Sequence, residues 1–165
     1  MNRSTLDKLI SSTGVVVAIV LLAASGALFY AHNFIHNQVY DQLAAEKIEF
    51  PAAGSSALTA LPTADQKAVA KYAGQQLLTG AQAETFANHY IAVHLDEIGG
   101  GKTYSELSAA SMADPSDQAL SGKVQTVFRG EILRGLPLNA YSFATMALVA
   151  YYASFGAPMA GIVLL

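Results

Sequence analysis

The chain has 165 residues, 53% of them hydrophobic and only 13% charged, with a formal net charge of −3 and no cysteine. Its mean hydropathy of +0.35 is too high for an ordinary soluble domain of this size. These values exclude a disordered chain, a basic nucleic-acid binder, a disulfide scaffold, and any thiolate metal site or thiol nucleophile.

Charge is absent from Leu9 to Tyr40 and again from Gly135 to Leu165, which leaves seven of the nine basic and eleven of the twelve acidic residues between His36 and Arg134. Residues 1–13, with Arg3 and Lys8, read as a cytoplasmic N-terminus. Residues 14–35 follow as a first transmembrane helix, about 33 Å long against a hydrocarbon core of about 30 Å. Phe29, Tyr30 and Phe34 gather at its C-terminal end, where an aromatic belt belongs. A cleaved signal peptide is the rival, because Val15–Leu22 resembles an h-region and Ala24-Ser25-Gly26 a cleavage site. The start at Met1 makes an uncleaved anchor the expectation.

Residues 36–134 are read as an extracytoplasmic helical domain, the basic residues before the first span setting the N-terminus inside. Ile35, Val39 and Leu43 continue the first helix until Phe50-Pro51 ends it. Thr63 is expected to cap a helix running to about Thr79, with Val69, Tyr72, Ala73 and Leu77 on one face. After Gly80, a second helix over Gln82–Ile98 carries Phe86, Tyr90, Val93 and Ile98. Thr103-Tyr104-Ser105-Glu106 has capping-box spacing and starts a short helix through about Ser111. Asp114-Pro115 opens the last helix, which carries Leu120, Val124, Val127, Phe128 and Leu133 toward Pro137.

Residues 135–165 read as the second transmembrane helix and the C-terminal end, which returns to the cytoplasm. The uncharged stretch Leu138–Leu165 would reach about 42 Å as straight helix, so tilt or a kink at Pro158 is expected. The ending GIVLL lacks a basic residue, and further residues beyond Leu165 are expected.

Chemical motifs are few. Gly99-Gly100-Gly101-Lys102-Thr103 misses phosphate-loop spacing, since position 96 is Asp where a glycine is required, and it reads as a turn before a capped helix. His32 and His36 share a helix face as two metal ligands would, but positions 39 and 40 are Val and Tyr, so interfacial anchoring is the expected role. His89 and His94 diverge, whereas Tyr90 and His94 share a face and should pack or hydrogen-bond. His94, Asp96, Glu97 and Ser105 form no recognisable catalytic signature, and no enzyme activity is expected.

Small residues four apart recur in both apolar blocks, at Gly14/Ala18, Ala23/Ala27, Ala140/Ala144, Ala153/Ala157, Gly156/Ala160 and Ala157/Gly161, a spacing that permits close helix approach. With Asn139, Tyr141, Tyr151 and Tyr152 as polar or amphipathic groups, the second span is expected to face protein over much of its surface. No Asp, Glu, Lys or Arg within it marks an ion path.

The stretch KVQTVFRGEILRGLPLNAYSF at 123–143, with ETFANHYIAVHL at 84–95 and YSELS at 104–108, covers about a quarter of the chain. It resembles the two-span accessory association factors of actinobacterial respiratory supercomplexes of cytochrome bcc and an aa3-type oxidase. That resemblance implies a plasma-membrane subunit without a redox cofactor of its own, with Arg129, Glu131 and Arg134 contacting partners or headgroups.

The expected fold is therefore an all-α membrane protein, two transmembrane helices in a hairpin with a small helical extracytoplasmic domain. The expected function is that of a non-catalytic accessory subunit that stabilises or orients membrane-embedded partners. The alternative is a free-standing, membrane-anchored binding or sensor module. Candidate interface residues are Ala140, Ala144, Tyr151, Tyr152, Gly156, Arg129 and Arg134. No catalytic, cofactor or metal residue is assigned, no nucleic acid is expected, and the bilayer supplies lipid as the candidate bound ligand.

Overall fold

The computed structural model describes residues 2–163. Leu164 and Leu165, and with them the expected continuation of the chain, lie outside the described residues. The described residues form helices and turns, with a single antiparallel bridge, Glu49 to Gln76, in place of any strand. The helices are α1 (Arg3–Glu46), α2 (Ser56–Thr59), α3 (Thr63–Ala70), α4 (Gly80–Phe86), α5 (Ala92–Gly99), α6 (Tyr104–Ala113) and α7 (Gln118–Val163). A π-helical turn, Ala87–Ile91, joins α4 to α5. Two of these helices, α1 and α7, are long and apolar enough to cross a membrane by length and composition. Two compact units result: a hairpin unit, comprising the residues up to Gln38 and those from Phe143 on, and a helical unit, Val39–Ser142.

Within the helical unit, α1 ends at Glu46, four residues before the expected Phe50 stop, because Lys47 adopts a left-handed φ of 52°. The Gln76 side-chain amide then donates to the Ala44 carbonyl at 3.1 Å, satisfying one acceptor of the last turn. Phe50 is buried against Tyr72 and Phe86, with ring centroids 5.3 Å away in both cases.

The helix expected from Thr63 to about Thr79 stops at Ala70, and Pro62 rather than Thr63 is its N-cap. Gly74 at φ 71° turns the chain. The following residues run extended, with Phe50 N–H donating to Gln75 O at 2.9 Å and Leu77 N–H to Ile48 O at 2.8 Å. Leu77 is fully buried, as its place in the apolar pattern implied, but it is delivered by this extended segment.

The next helix starts two residues earlier than expected. Thr79 Oγ1 accepts from Gln82 N–H at 3.2 Å, and Gln82 Oε1 accepts from Thr79 N–H at 3.0 Å, a reciprocal capping box that draws Gly80 into the helix. The Thr103–Glu106 box forms as its spacing predicts. Gly100, at φ 65°, closes the helix before it with a left-handed cap. Leu107 of α6 packs with Val124 and Val127 of α7, and Leu120 flanks them.

The last helix begins at Gln118, later than the expected Asp114-Pro115 start. Asp114 instead accepts from the Ser116 N–H and hydroxyl, while Asp117 Oδ1 accepts from Leu120 N–H at 2.9 Å and caps the helix. From there α7 runs as one helix through both Pro137 and Pro158.

Candidate functional site

In the hairpin unit, α1 and α7 run antiparallel. Three contacts define their register: Gly161 faces the Ala18 backbone, Ser25 Oγ donates to the Ser154 carbonyl, and His32 Nδ1 donates to the Ala147 carbonyl at 2.9 Å. Each step is seven residues along both helices, the spacing that keeps one stripe of each helix against its partner in a left-handed pair. The covered positions of α1 agree, since Gly14, Ala18, Leu21, Ser25, Leu28, His32 and Ile35 recur at alternating intervals of four and three.

Gly161 leaves no Cβ between the helices at the first contact, where an added Cβ would sit 3.5 Å from Ala18 Cα. The second contact has a covalent cause. Pro158 lacks the N–H that would bond the carbonyl four residues earlier, and that carbonyl belongs to Ser154. The Ser25 hydroxyl takes the missing donor's place, while Ser154, itself buried, turns its own hydroxyl to the Tyr151 carbonyl at 2.6 Å.

At the third contact His32 is surrounded by rings. Tyr151 lies 4.8 Å away, His36 5.8 Å and Phe29 6.4 Å between centroids. A carbonyl only accepts, so Nδ1 carries the proton in this bond.

The candidate interface residues divide among three situations. Ala144 and Tyr151 are half-buried on the stripe of α7 that faces α1, so the chain's own hairpin occupies them. Tyr152, 65% exposed, and Gly156, with open space where a Cβ would stand, lie on the outward face. Ala140 is half-buried and Arg129 exposed, both in the helical unit.

Arg134, also in the helical unit, is held from within. Its Nη2 donates to Asn88 Oδ1 at 3.1 Å, and Glu131 lies 3.5 Å from Nη1. Asn88 in turn donates to Glu84 Oε1 at 2.9 Å, so the π-helical turn is tied to α7 through an amide that no sequence motif singles out. The next residue, His89, donates through Nδ1 to Asp65 Oδ1 at 2.8 Å and ties the same turn to α3. His94 donates to the Tyr90 carbonyl at 2.7 Å and stacks on the Tyr90 ring at 4.6 Å, the pairing their shared face predicted.

A cleft of about 130 Å³ opens between α5, the glycine turn and α7. Asp96, Lys102, Glu131 and Arg134 line it, the last two paired along α7, while His94 is not among the lining residues. Near it, the backbone N–H of Thr103 and then its hydroxyl hold the Glu106 carboxyl below its ordinary range. Asp114 is lowered by the Ser116 hydroxyl first and the Ser116 N–H second. Among the described residues, no group of three or more His, Asp or Glu side chains converges as a metal site.

Ser25 and Asn88 carried no recognisable signal in the sequence. Ser154 did carry one, because a proline four residues downstream always leaves a carbonyl without its helical donor. Compared with known proteins, the chain matches no family model, no curated protein and no solved structure.

Proposed function

We propose that this chain is a non-catalytic accessory subunit of a membrane protein complex, anchored by α1 and α7 as a two-span hairpin. The observation that carries the reading is the division of the hairpin's surface. A narrow stripe, with small and polar residues at its contacts, joins the two helices, while large side chains such as Phe29, Phe34, Phe143, Val149, Tyr152 and Phe155 point outward and exposed. An outward face this apolar is stable only in lipid or against another apolar surface. In a bilayer, backbone groups must be satisfied inside the protein, a demand that the Ser25 bond to the Ser154 carbonyl meets.

In this reading the N- and C-termini are cytoplasmic and residues 36–134 extracytoplasmic. The outward faces of α1 and α7 meet lipid on one side and partner spans on the other. Tyr152 and Gly156 are the contacts left for a partner after the hairpin has used Ala144 and Tyr151. The assembly implied by the resemblance is an actinobacterial respiratory supercomplex of cytochrome bcc and an aa3-type oxidase, which this subunit would stabilise or orient without carrying a redox group.

Mild-detergent purification of the tagged chain from its native membranes tests the reading, with mass spectrometry and haem spectroscopy of the eluate. Stoichiometric recovery with haem-containing subunits is expected. Recovery as a lone monomer or self-dimer would overturn the respiratory assignment. A reporter inserted within residues 52–58 should be accessible only from outside the cell, and cytoplasmic labelling would overturn the topology.

A further inference from the structure

His32 and His36 lie one turn apart on one face of α1, with ring planes inclined by 27°. The His32 Nδ1–H is committed to the Ala147 carbonyl of the opposing helix, so the neutral ring offers its Nε2 lone pair. A second ring nitrogen bonded to a carbonyl is the arrangement that orients metal-ligating imidazoles, because it fixes the tautomer and the direction of the free nitrogen. Tyr151 against the His32 ring at 4.8 Å further limits its rotation.

Two imidazoles bound through nitrogen to one tetrahedral ion at about 2.1 Å would have centroids about 5.2 Å apart. The observed separation is 5.8 Å, close to the spacing a shared ion requires, and the exposed His36 side chain has still to turn a ring nitrogen toward the His32 Nε2.

We propose that His32 and His36 form a two-imidazole site for a borderline divalent transition metal of the zinc and copper(II) class. Imidazole nitrogen suits these ions, while calcium and magnesium require oxygen ligands that this face lacks. Two protein ligands leave coordination positions for water or for a donor from a second protein. Through the Ala147 bond, the bound ion also braces α1 against α7. The site stands independently of the accessory-subunit reading.

The test uses the untagged full-length chain in detergent, stripped with chelator and titrated separately with zinc chloride and copper sulfate by calorimetry. One ion per chain is expected for at least one of the two metals. His36→Gln and His32→Gln should each weaken binding by about tenfold or more, while the double variant H89Q/H94Q binds as the parent does. Copper added to the unaltered chain should broaden the ring proton resonances of His32 and His36 ahead of those of His89 and His94. Absence of binding by both metals, equal binding by H36Q, or broadening confined to His89 and His94 would overturn the proposal.

Discussion

In the hairpin unit, two helices meet through contacts seven residues apart at Ala18, Ser25 and His32, and their outward faces are as apolar as the seam between them. In the helical unit, α4 and α6 begin at reciprocal caps, and the packing of short helices and the extended segment buries Leu77, Val69 and Leu107 almost completely. Burial of apolar side chains away from water stabilises the second unit. Between α1 and α7, in the lipid setting proposed above, that force is missing, and close packing and specific hydrogen bonds remain. The two units should therefore respond very differently to truncation of one side chain.

The largest expected effect lies in the helical unit. Leu77→Ala should lower its stability by about 3 kcal/mol, the usual cost of a cavity at a fully buried leucine, as measured by denaturant unfolding in detergent. A cost near that of an exposed substitution would break the contrast.

Gly130 comes next, because an added Cβ would collide with Leu95 Cδ2. Gly130→Ala should cost about 1–2 kcal/mol through overpacking. Combining it with Leu95→Ala should give less than the sum of the two single costs, since the clash disappears, and strict additivity would rule out this contact.

Removing the Thr103 cap should cost about 1 kcal/mol as Thr103→Ala, detected as faster amide exchange in the first turn of α6. The same cap has a pH signature. The Glu106 pKa is lowered in the folded state, so its contribution is complete above the ordinary carboxylate pKa and is lost as pH falls through the depressed folded value. Fraying of the α6 N-terminus on acidification is the expected outcome, followed by the Thr103 amide shift. An amide shift that titrates at the ordinary glutamate value would contradict the cap.

The smallest effect belongs to the hairpin. Ser25→Ala should cost about 0.6 kcal/mol in a bilayer, the average for an interhelical hydrogen bond there. In a Pro158→Ala background the Ser154 carbonyl regains a helical donor, so the same substitution should cost less. An equal cost in both backgrounds would show that the hydroxyl is not replacing the proline's missing N–H.

Much of this fold could be read from the residues, and the exceptions have physical causes. The two uncharged blocks and the Thr103–Glu106 box were plain because charge and cap spacing are local signals. Thr79 and Gln82 carry the same box spacing, and Gly80 between them disguised it as a break. Val69, Tyr72, Ala73 and Leu77 fit a helical period, yet Gly74 and the pairing of residues 48–50 with 75–77 override it, a contact that no local window contains.

The seam was hidden for a different reason. Gly14, Ala18, Leu21, Ser25 and Leu28 form a heptad stripe, but the faces beside it are equally apolar, so hydrophobic periodicity has nothing to contrast. Tyr151 and Tyr152 looked equivalent for the same reason; one packs on His32, and the other is exposed.

That division offers the most direct test of the central claim, that the outward face of the hairpin docks on another membrane protein. A photoreactive amino acid replacing Tyr152, activated in native membranes, should cross-link to a different membrane-embedded subunit, whereas the same residue at Ala147 should react within the chain. Products from position 152 limited to lipid or to a second copy of this chain would contradict the account.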